Sequence, residues 1–260
     1  MRSARTVLTA LTFTGALTLA TVTSSTAAPA AGAPAAKGPT PWCAPEVTEL
    51  SDHVCYFDGG APADGRKTLV IYMHGMLATS PGFQYLQQRA MALHAKKHGF
   101  TVLLPTSPRT PGGYMWPTSV AAQRDEEPAL LAGLAASRAK LEATLGHPFD
   151  EVFVVGFSSG AYYASSLALR SALDVDGYIV LAGASSWGPQ KTPGKRAPIF
   201  VGVSASDKAT APDSRGFAGT LAAMGWPYRA EERAAGHMVD WTFMAHGISW
   251  LRTKTKPGPT

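Results

Sequence analysis

The chain has 260 residues, of which 45% are hydrophobic and 16% charged, with a formal net charge of +5 and two cysteines. The lysines and arginines are scattered and form no basic stripe interleaved with aromatic residues, which argues against a nucleic-acid-binding protein. The sequence contains no P-loop, no G-x-G-x-x-G and no H-E-x-x-H motif. Nucleotide, dinucleotide and zinc-peptidase sites are therefore not expected, and we predict no cofactor and no metal.

The first 36 residues have the pattern of a secretory signal peptide followed by a small-residue linker. Arg2 and Arg5 precede an apolar, threonine-rich stretch over residues 6–22, and small residues follow. A membrane anchor is the alternative, but threonines dilute the apolar stretch and no second hydrophobic span follows. We predict a secreted protein, extracellular or periplasmic, that is cleaved within residues 28–36 and has no stable membrane anchor.

The two cysteines, Cys43 and Cys55, lie near the predicted mature N-terminus. An even number of cysteines in an exported chain favours a disulfide. Closing this short loop would stabilise the fold by about 3 kcal/mol in the chain-entropy model. A metal site is less favoured, because C-x-x-C spacing is absent and no pair of histidines lies nearby.

The remaining chain alternates between predicted strands and predicted helices. The strands are, in order, EVTEL, HVCYF, KTLVIYMHG, FTVLLP, EVFVVGF, GYIVLAG, PIFVGVSA and PYRAEERAAG. Helices are predicted over residues 80–99, 125–145, 159–172, 215–225 and 238–252. In the first helix Ser80 is the predicted N-cap, and the predicted apolar face consists of Phe83, Leu86, Ala90 and Leu93.

This alternation predicts an α/β fold with a mainly parallel, eight-stranded sheet and helices on both faces. Residues 37–252 form one predicted domain, and residues 253–260 a disordered tail. The segment between the sixth and seventh predicted strands is short and rich in proline and glycine. We therefore expect no cap domain and a rather open cleft.

Three polar residues follow predicted strands at the edge of the sheet where chemistry collects in such folds. They are Ser158, Asp207 and His237. Ser158 is the central residue of G-F-S-S-G over residues 156–160, which fits the G-x-S-x-G nucleophile elbow. The pentapeptide alone is a weak signal, but the chain order Ser, Asp, His is the one expected of an α/β-hydrolase.

These residue types suit nucleophilic catalysis. A serine hydroxyl is a poor nucleophile, so His237 would accept its proton while Asp207 orients the imidazole and stabilises its charged form. Ser159 is the less favoured nucleophile. Asp213 and Asp240 are the less favoured acids, because the first lies beyond the strand end and the second follows the histidine by only three residues.

Two backbone N–H groups are predicted to stabilise the oxyanion of the tetrahedral intermediate. One belongs to Ser159, in the first turn of the following helix, where the helix dipole also helps. The other belongs to Met76, in the turn after the third strand. His74 is expected to shape this turn rather than to titrate during catalysis.

Three aromatic residues lie in predicted loops at the same edge of the sheet. Tyr114 and Trp116 follow the fourth strand, and Trp187 follows the sixth. They are candidate substrate-binding residues that would line an acyl or aromatic pocket. The alternative is that they pack beneath long loops, and the sequence leaves both interpretations open.

With these motifs the sequence resembles the α/β-hydrolase superfamily, and within it the secreted polyhydroxybutyrate depolymerases, feruloyl esterases and dienelactone-hydrolase-like esterases. The resemblance covers residues 67–252 and rests on LVIYMHGM, HGFTVLLP, FDEVFVVGFSSG, VGVSASD and AAGHMVDW. The chain departs from the pattern in the bulky Tyr162-Tyr163 pair after the elbow and in lacking His-Gly before the acid.

The resemblance implies a secreted serine hydrolase that cleaves carboxylic esters through an acyl-Ser158 intermediate. An open cleft suits a bulky or polymeric ester as the substrate. A peptidase and an acyltransferase are alternatives, because they share the same catalytic groups. A catalytically silent binding module is a further alternative, although such a module has no chemical reason to keep all three residues.

Overall fold

The computed structural model describes residues 40–62, 64–80, 82–185 and 195–255. The predicted signal peptide, Trp187 and residues 256–260 of the predicted tail lie outside these ranges. The strands are β1 Thr48–Ser51, β2 Val54–Asp58, β3 Thr68–Met73, β4 Thr101–Leu104, β5 Arg109–Thr110, β6 Gly113–Tyr114, β7 Glu151–Phe157, β8 Gly177–Leu181, β9 Ile199–Ser204 and β10 Tyr228–Arg233. The helices are α1 Tyr85–His98, α2 Val120–Leu145, α3 Ser159–Arg170, α4 Ala211–Ala223 and α5 Trp241–Arg252.

The main sheet has eight strands in the order β1-β2-β4-β3-β7-β8-β9-β10. Six neighbouring strands run parallel, namely β4, β3, β7, β8, β9 and β10. At one edge β2 pairs antiparallel with β4, and β1 pairs antiparallel with β2. Strands β3, β4, β7, β8 and β9 are buried along their whole length, as expected for parallel strands covered on both faces. The predicted mainly parallel, eight-stranded sheet is confirmed.

Helices cover both faces of this sheet. Side chains alternate between the faces of a strand, and in β3 Leu69, Ile71 and Met73 join one core cluster while Val70 and Tyr72 join the other. The first cluster includes buried residues of α2, α3 and α4, and the second includes those of α1 and α5. Among the described residues, no helix is long and apolar enough to cross a membrane.

The predicted apolar face of α1 is wrong. The sequence assigned this face to Phe83, Leu86, Ala90 and Leu93, but the phenylalanine is 52% exposed and the two leucines are 78% and 65% exposed. The helix instead buries Gln88, Met91, Ala92, His94 and Ala95. The amide oxygen of Gln88 accepts from the Ala44 N–H at 2.7 Å, and its amide nitrogen donates to the Trp42 carbonyl at 3.3 Å. A polar side chain is buried at little cost when its hydrogen bonds are made within the protein.

Four predicted helix starts are also corrected. Helix α4 begins at Ala211 rather than at residue 215, and α5 begins at Trp241 rather than at residue 238. Helix α1 begins at Tyr85, with Gln84 in the N-cap position, rather than after Ser80. Helix α2 begins five residues before the predicted Asp125, because the Ser119 side chain caps it by accepting the Ala122 N–H at 3.2 Å.

Cys43 and Cys55 form a disulfide with a Cα–Cα distance of 5.8 Å, so the predicted pairing is confirmed. The bond joins the segment before β1 to strand β2. At the other end, Thr255 donates from its hydroxyl to the Glu151 carboxylate at 3.3 Å, although the sequence placed this residue in a disordered tail. The folded domain therefore includes Thr255.

Candidate active site

A sharp turn between β7 and α3 places Ser158 at the edge of the sheet. Ser158 has φ 51° and ψ −118°, a backbone conformation that residues with a side chain rarely adopt. Its flanking glycines are sterically required. A Cβ added to Gly156 would lie 2.4 Å from the Gly160 oxygen, and a Cβ added to Gly160 would lie 2.0 Å from the Met73 oxygen. The G-F-S-S-G sequence thus allows a tight, strained elbow.

The three residues predicted from chain order are brought together by hydrogen bonds. His237, which follows β10, has its Nε2 3.0 Å from the Ser158 Oγ. Its Nδ1 lies 2.6 Å from Oδ2 of Asp207, which follows β9. If the carboxylate accepts the Nδ1 proton, Nε2 is left to accept the serine proton, which is the arrangement that a general base needs.

Asp207 is buried and held by four donors. Besides His237, these are the Thr210 hydroxyl on Oδ2, and the N–H groups of Ala209 at 3.2 Å and Thr210 at 3.4 Å on Oδ1. Burial raises the pKa of Asp207, but the hydrogen bonds from Thr210 and His237 together hold the pKa below the ordinary aspartate value. The acid is therefore ionised at neutral pH.

The two alternative acids have other partners. Asp240 caps α5 by accepting the Thr242 N–H at 2.8 Å, and it lies 3.4 Å from the Arg233 guanidinium. Asp213 accepts a hydrogen bond from the Tyr162 hydroxyl. Within the described part of the chain, neither carboxylate contacts the imidazole of His237, so the geometry favours Asp207 as its partner.

The two predicted oxyanion donors lie on elements next to the serine. Ser159 contributes one of the first N–H groups of α3, and Met76 belongs to the turn after β3. No hydrogen bond joins either N–H to another described group. The His74 carbonyl holds the turn to the helix by accepting from the Gly160 N–H at 3.1 Å and from Trp116 Nε1 at 2.9 Å.

The His74 ring is a structural part of this turn. It is buried, its Nδ1 lies 2.6 Å from the Gly75 carbonyl, and its Nε2 accepts the Ser107 N–H at 3.1 Å. Burial lowers the pKa of His74 to about 4, so the ring is neutral at physiological pH. The geometry agrees with the expectation that His74 shapes the turn.

An open cleft of about 770 Å³ contains Ser158 and Ser159. Met76, Met115 and Tyr162 also line this cleft, together with Asp213 at the start of α4. Among the described residues, no group of three histidine, cysteine or acidic side chains is placed to hold a metal ion.

Two of the aromatic residues predicted to bind substrate do not line this cleft. Trp116 is 1% exposed and stacks on Tyr163, and its backbone N–H donates to Ser159 Oγ at 3.1 Å. Tyr114 exchanges backbone hydrogen bonds with Leu77 and packs edge-on against Trp42. Trp116 thus packs beneath the loop, Tyr114 is partly buried outside this cleft, and Trp187 lies outside the described residues.

Residues that the sequence analysis did not predict as site residues complete the site. Thr210 and the backbone at Ala209 hold the acid, and Met115 and Tyr162 line the cleft. The spacing of Thr210 three residues after Asp207 is typical of a side chain that hydrogen-bonds locally before a helix, which was an available signal. No sequence signal points to the inward orientation of Met115, because it depends on the local path of an irregular loop.

The sequence matches no protein-family model and no curated protein. Solved structures are similar, including the Bacillus cereus carboxylesterase (13% identity, 78% of this chain and 95% of that chain, TM-score 0.56). A carboxylesterase from Mesorhizobium loti (16% identity, 76% and 93%, TM-score 0.55) and the structure of YahD with malic acid (15% identity, 78% and 100%, TM-score 0.54) are also similar. At these identities the similarity shows the fold alone. The sheet topology and these neighbours together show that the chain has the α/β-hydrolase fold.

Proposed function

We propose that the protein is a serine hydrolase that cleaves carboxylic esters through an acyl-Ser158 intermediate. The observation that carries this proposal is the hydrogen-bonded chain from Ser158 through His237 to Asp207, with its serine on a strained elbow. Two of the similar structures are described as carboxylesterases, which supports ester cleavage for this chain.

In the acylation step the Ser158 oxygen attacks the ester carbonyl carbon while His237 Nε2 takes the hydroxyl proton. The ionised Asp207 stabilises the imidazolium that forms. The carbonyl oxygen becomes an oxyanion, and the N–H groups of Ser159 and Met76 are its proposed donors, with the positive end of the α3 dipole beside them. Such donors lower the barrier by about 3 kcal/mol each in hydrolases of this chemistry.

The intermediate then collapses. The bond between the carbonyl carbon and the alcohol oxygen breaks, and the leaving alkoxide takes the proton from the His237 imidazolium. A water molecule attacks the acyl carbon next and gives its proton to His237. The bond to Ser158 breaks, the serine oxygen recovers that proton, and the carboxylic acid leaves.

We propose a bulky or polymeric ester as the substrate. Met76, Met115 and Met238 expose 61%, 37% and 60% of their surface, and Met238 directly follows His237. Large apolar side chains exposed around one site are typical of a surface that binds an apolar ligand. We also propose that the protein is exported, and a disulfide fits an oxidising compartment.

Steady-state hydrolysis of a p-nitrophenyl ester chain-length series tests the proposal. We expect turnover by the mature protein, a loss of at least about three orders of magnitude in Ser158→Ala, and near-unchanged turnover in the control Ser137→Ala, which lies on α2 outside the cleft. Equal turnover by Ser158→Ala and the parent protein would refute the proposal. Peptide cleavage or acyl transfer to an alcohol without ester hydrolysis would instead support one of the alternative activities.

A further inference from the structure

A hydrogen-bonded pair of polar side chains lines the cleft that contains Ser158. Tyr162 is in the first turn of α3 and Asp213 in the first turn of α4, and both line this cleft. The Tyr162 hydroxyl donates to Oδ2 of Asp213. Burial raises the pKa of Tyr162, and the adjacent Asp213 raises it further, so the phenol keeps its proton and remains a donor.

The surrounding backbone holds this pair in place. The Tyr162 ring packs on Gly183 after β8, where an added Cβ would lie 2.7 Å from the ring. Gly183 has φ +141°, a conformation that suits glycine, and its N–H donates to the Ser214 hydroxyl at 3.1 Å. Contacts with α3, β8 and α4 therefore fix the position of the carboxylate next to Tyr162.

The negative charge of Asp213 has no cationic partner among the described residues. Arg215, two residues away, makes a bidentate pair with Glu232 at 2.7 and 3.0 Å. Lys208 is exposed, and neither it nor any other described lysine or arginine lines this cleft. Among the described residues that line the cleft, Asp213 is thus the one with a formal charge, in a chain whose formal net charge is +5.

We propose that Asp213 makes the site select substrates by charge. Esters whose group in this cleft is neutral or carries an ammonium are accepted, and esters that carry a carboxylate there are disfavoured. Met76 and Met115 supply the apolar contact for the uncharged part of the same group. This inference rests on the proposed ester hydrolysis at Ser158 and names the substrate class for that site.

The expected discrimination is moderate because Asp213 is exposed to solvent. Two like charges about 7 Å apart at an effective dielectric constant of about 40 disfavour binding about sevenfold. We therefore expect kcat/KM for a carboxylate ester to be about five- to tenfold lower than for its neutral analogue. Salt at about 1 M should remove most of this difference, because its Debye length is only about 3 Å.

The test compares three p-nitrophenyl esters of similar length: the hexanoate, the 6-ammoniohexanoate and the monoester of adipic acid. At low ionic strength the parent protein should favour the ammonium ester and disfavour the adipate. Asp213→Asn should bring the ratio of hexanoate to adipate kcat/KM close to one. Asp213→Glu should keep the ratio, because it keeps the charge. Asp174→Asn is the matched control, since it removes the same charge beyond the far end of α3 and should leave the ratio unchanged.

The outcomes separate this inference from the proposed function. Hydrolysis of the three esters without charge discrimination, or the same ratio in Asp213→Asn and the parent protein, overturns the role of Asp213 and leaves ester hydrolysis standing. A discrimination that does not change with salt also overturns it. Failure of the parent protein to cleave any of the esters overturns both proposals. Thermal melting of each variant checks that it is folded.

Discussion

Thr210→Val removes one donor from the acid of the proposed catalytic chain and little else. The Thr210 hydroxyl donates to Oδ2 of Asp207, the same oxygen that faces His237 Nδ1. Thr210 occupies the N-cap position of α4, but its side chain makes no cap hydrogen bond. Valine at this position therefore removes no capping interaction from the helix. Valine has almost the same shape, and the substitution therefore isolates the hydroxyl.

The expected loss is moderate because other donors remain. A hydrogen bond to a charged group is worth about 1.5–3 kcal/mol. Asp207 keeps three donors in the variant, the His237 ring and the N–H groups of Ala209 and residue 210, so we take the lower value. About 1.5 kcal/mol lost in the transition state corresponds to about a tenfold lower kcat. KM should change little, because Thr210 does not line the cleft.

The same substitution makes a prediction for stability against pH. The pKa of Asp207 is held below the ordinary value of 3.8, so its ionised form stabilises the fold above that pH, and this stabilisation disappears as pH falls through the folded-state pKa. The variant should therefore have a lower free energy of unfolding than the parent at pH 7, and the difference should shrink toward zero in strong acid.

Kinetics and urea unfolding at several pH values measure both effects. Thr220→Val on α4 is the matched control, because its hydroxyl donates at 3.0 Å to the Gly216 carbonyl rather than to Asp207. Thr210→Ser should recover most of the rate, since serine restores the donor. A Thr210→Val protein with the kcat of the parent and the stability of Thr220→Val would refute the positioning role of this hydroxyl.

Other predictions follow from the disulfide, the elbow and a buried histidine. Reducing the bond between Cys43 and Cys55, 12 residues apart, should lower the free energy of unfolding by about 3 kcal/mol, measured by melting with and without reductant; an unchanged melting temperature would contradict this. Gly160→Ala should abolish ester turnover or folding, because the Cβ would lie 2.0 Å from a backbone oxygen, whereas Gly133→Ala, in open space on α2, should be tolerated. Equal activity of the two variants would count against the packing of the elbow. Burial lowers the pKa of His74 to about 4, so the neutral ring contributes its full stabilisation above pH 6.5, and this stabilisation falls as pH drops toward 4. His74→Gln should therefore flatten the pH dependence of the free energy of unfolding between pH 6.5 and pH 4.

The strands and the proposed catalytic order were predictable because buried parallel strands leave a strong local signature. The apolar run of β7 and the run of β9 are buried at every position. Ser158 directly follows β7 and Asp207 lies three residues after β9, whereas His237 lies four residues after the partly exposed edge strand β10. The carboxyl ends of these parallel strands lie at one edge of the sheet, which makes the three residues predictable as a set. The disulfide was predictable from cysteine number and the leader pattern.

The exposed face of α1 was not predictable from its own residues. The periodic pattern of Phe83, Leu86 and Leu93 suggested burial, but these side chains are exposed. Gln88 is buried because the segment before β1 supplies partners for its amide, and the disulfide holds that segment in place. Helix periodicity contains no information about such a contact between distant parts of the chain.

The lining of the cleft was not predictable for a related reason. The aromatic rings of Tyr114 and Trp116 suggest a lining role, but Met115 between them lines the cleft. Residues 115–118 form an irregular loop, so which of their side chains faces the cleft depends on the local path of the chain.

Fluorophosphonate labelling followed by peptide mapping tests the central proposal most directly. The reagent reacts with an activated serine, so the folded protein should gain one adduct, located on tryptic peptide 141–170. That peptide contains four serines, at 158, 159, 165 and 166, and fragmentation should place the adduct on Ser158. Labelling should disappear in Ser158→Ala and slow strongly in His237→Ala. An adduct that persists in Ser158→Ala, or that maps to another residue, would contradict the proposed nucleophile.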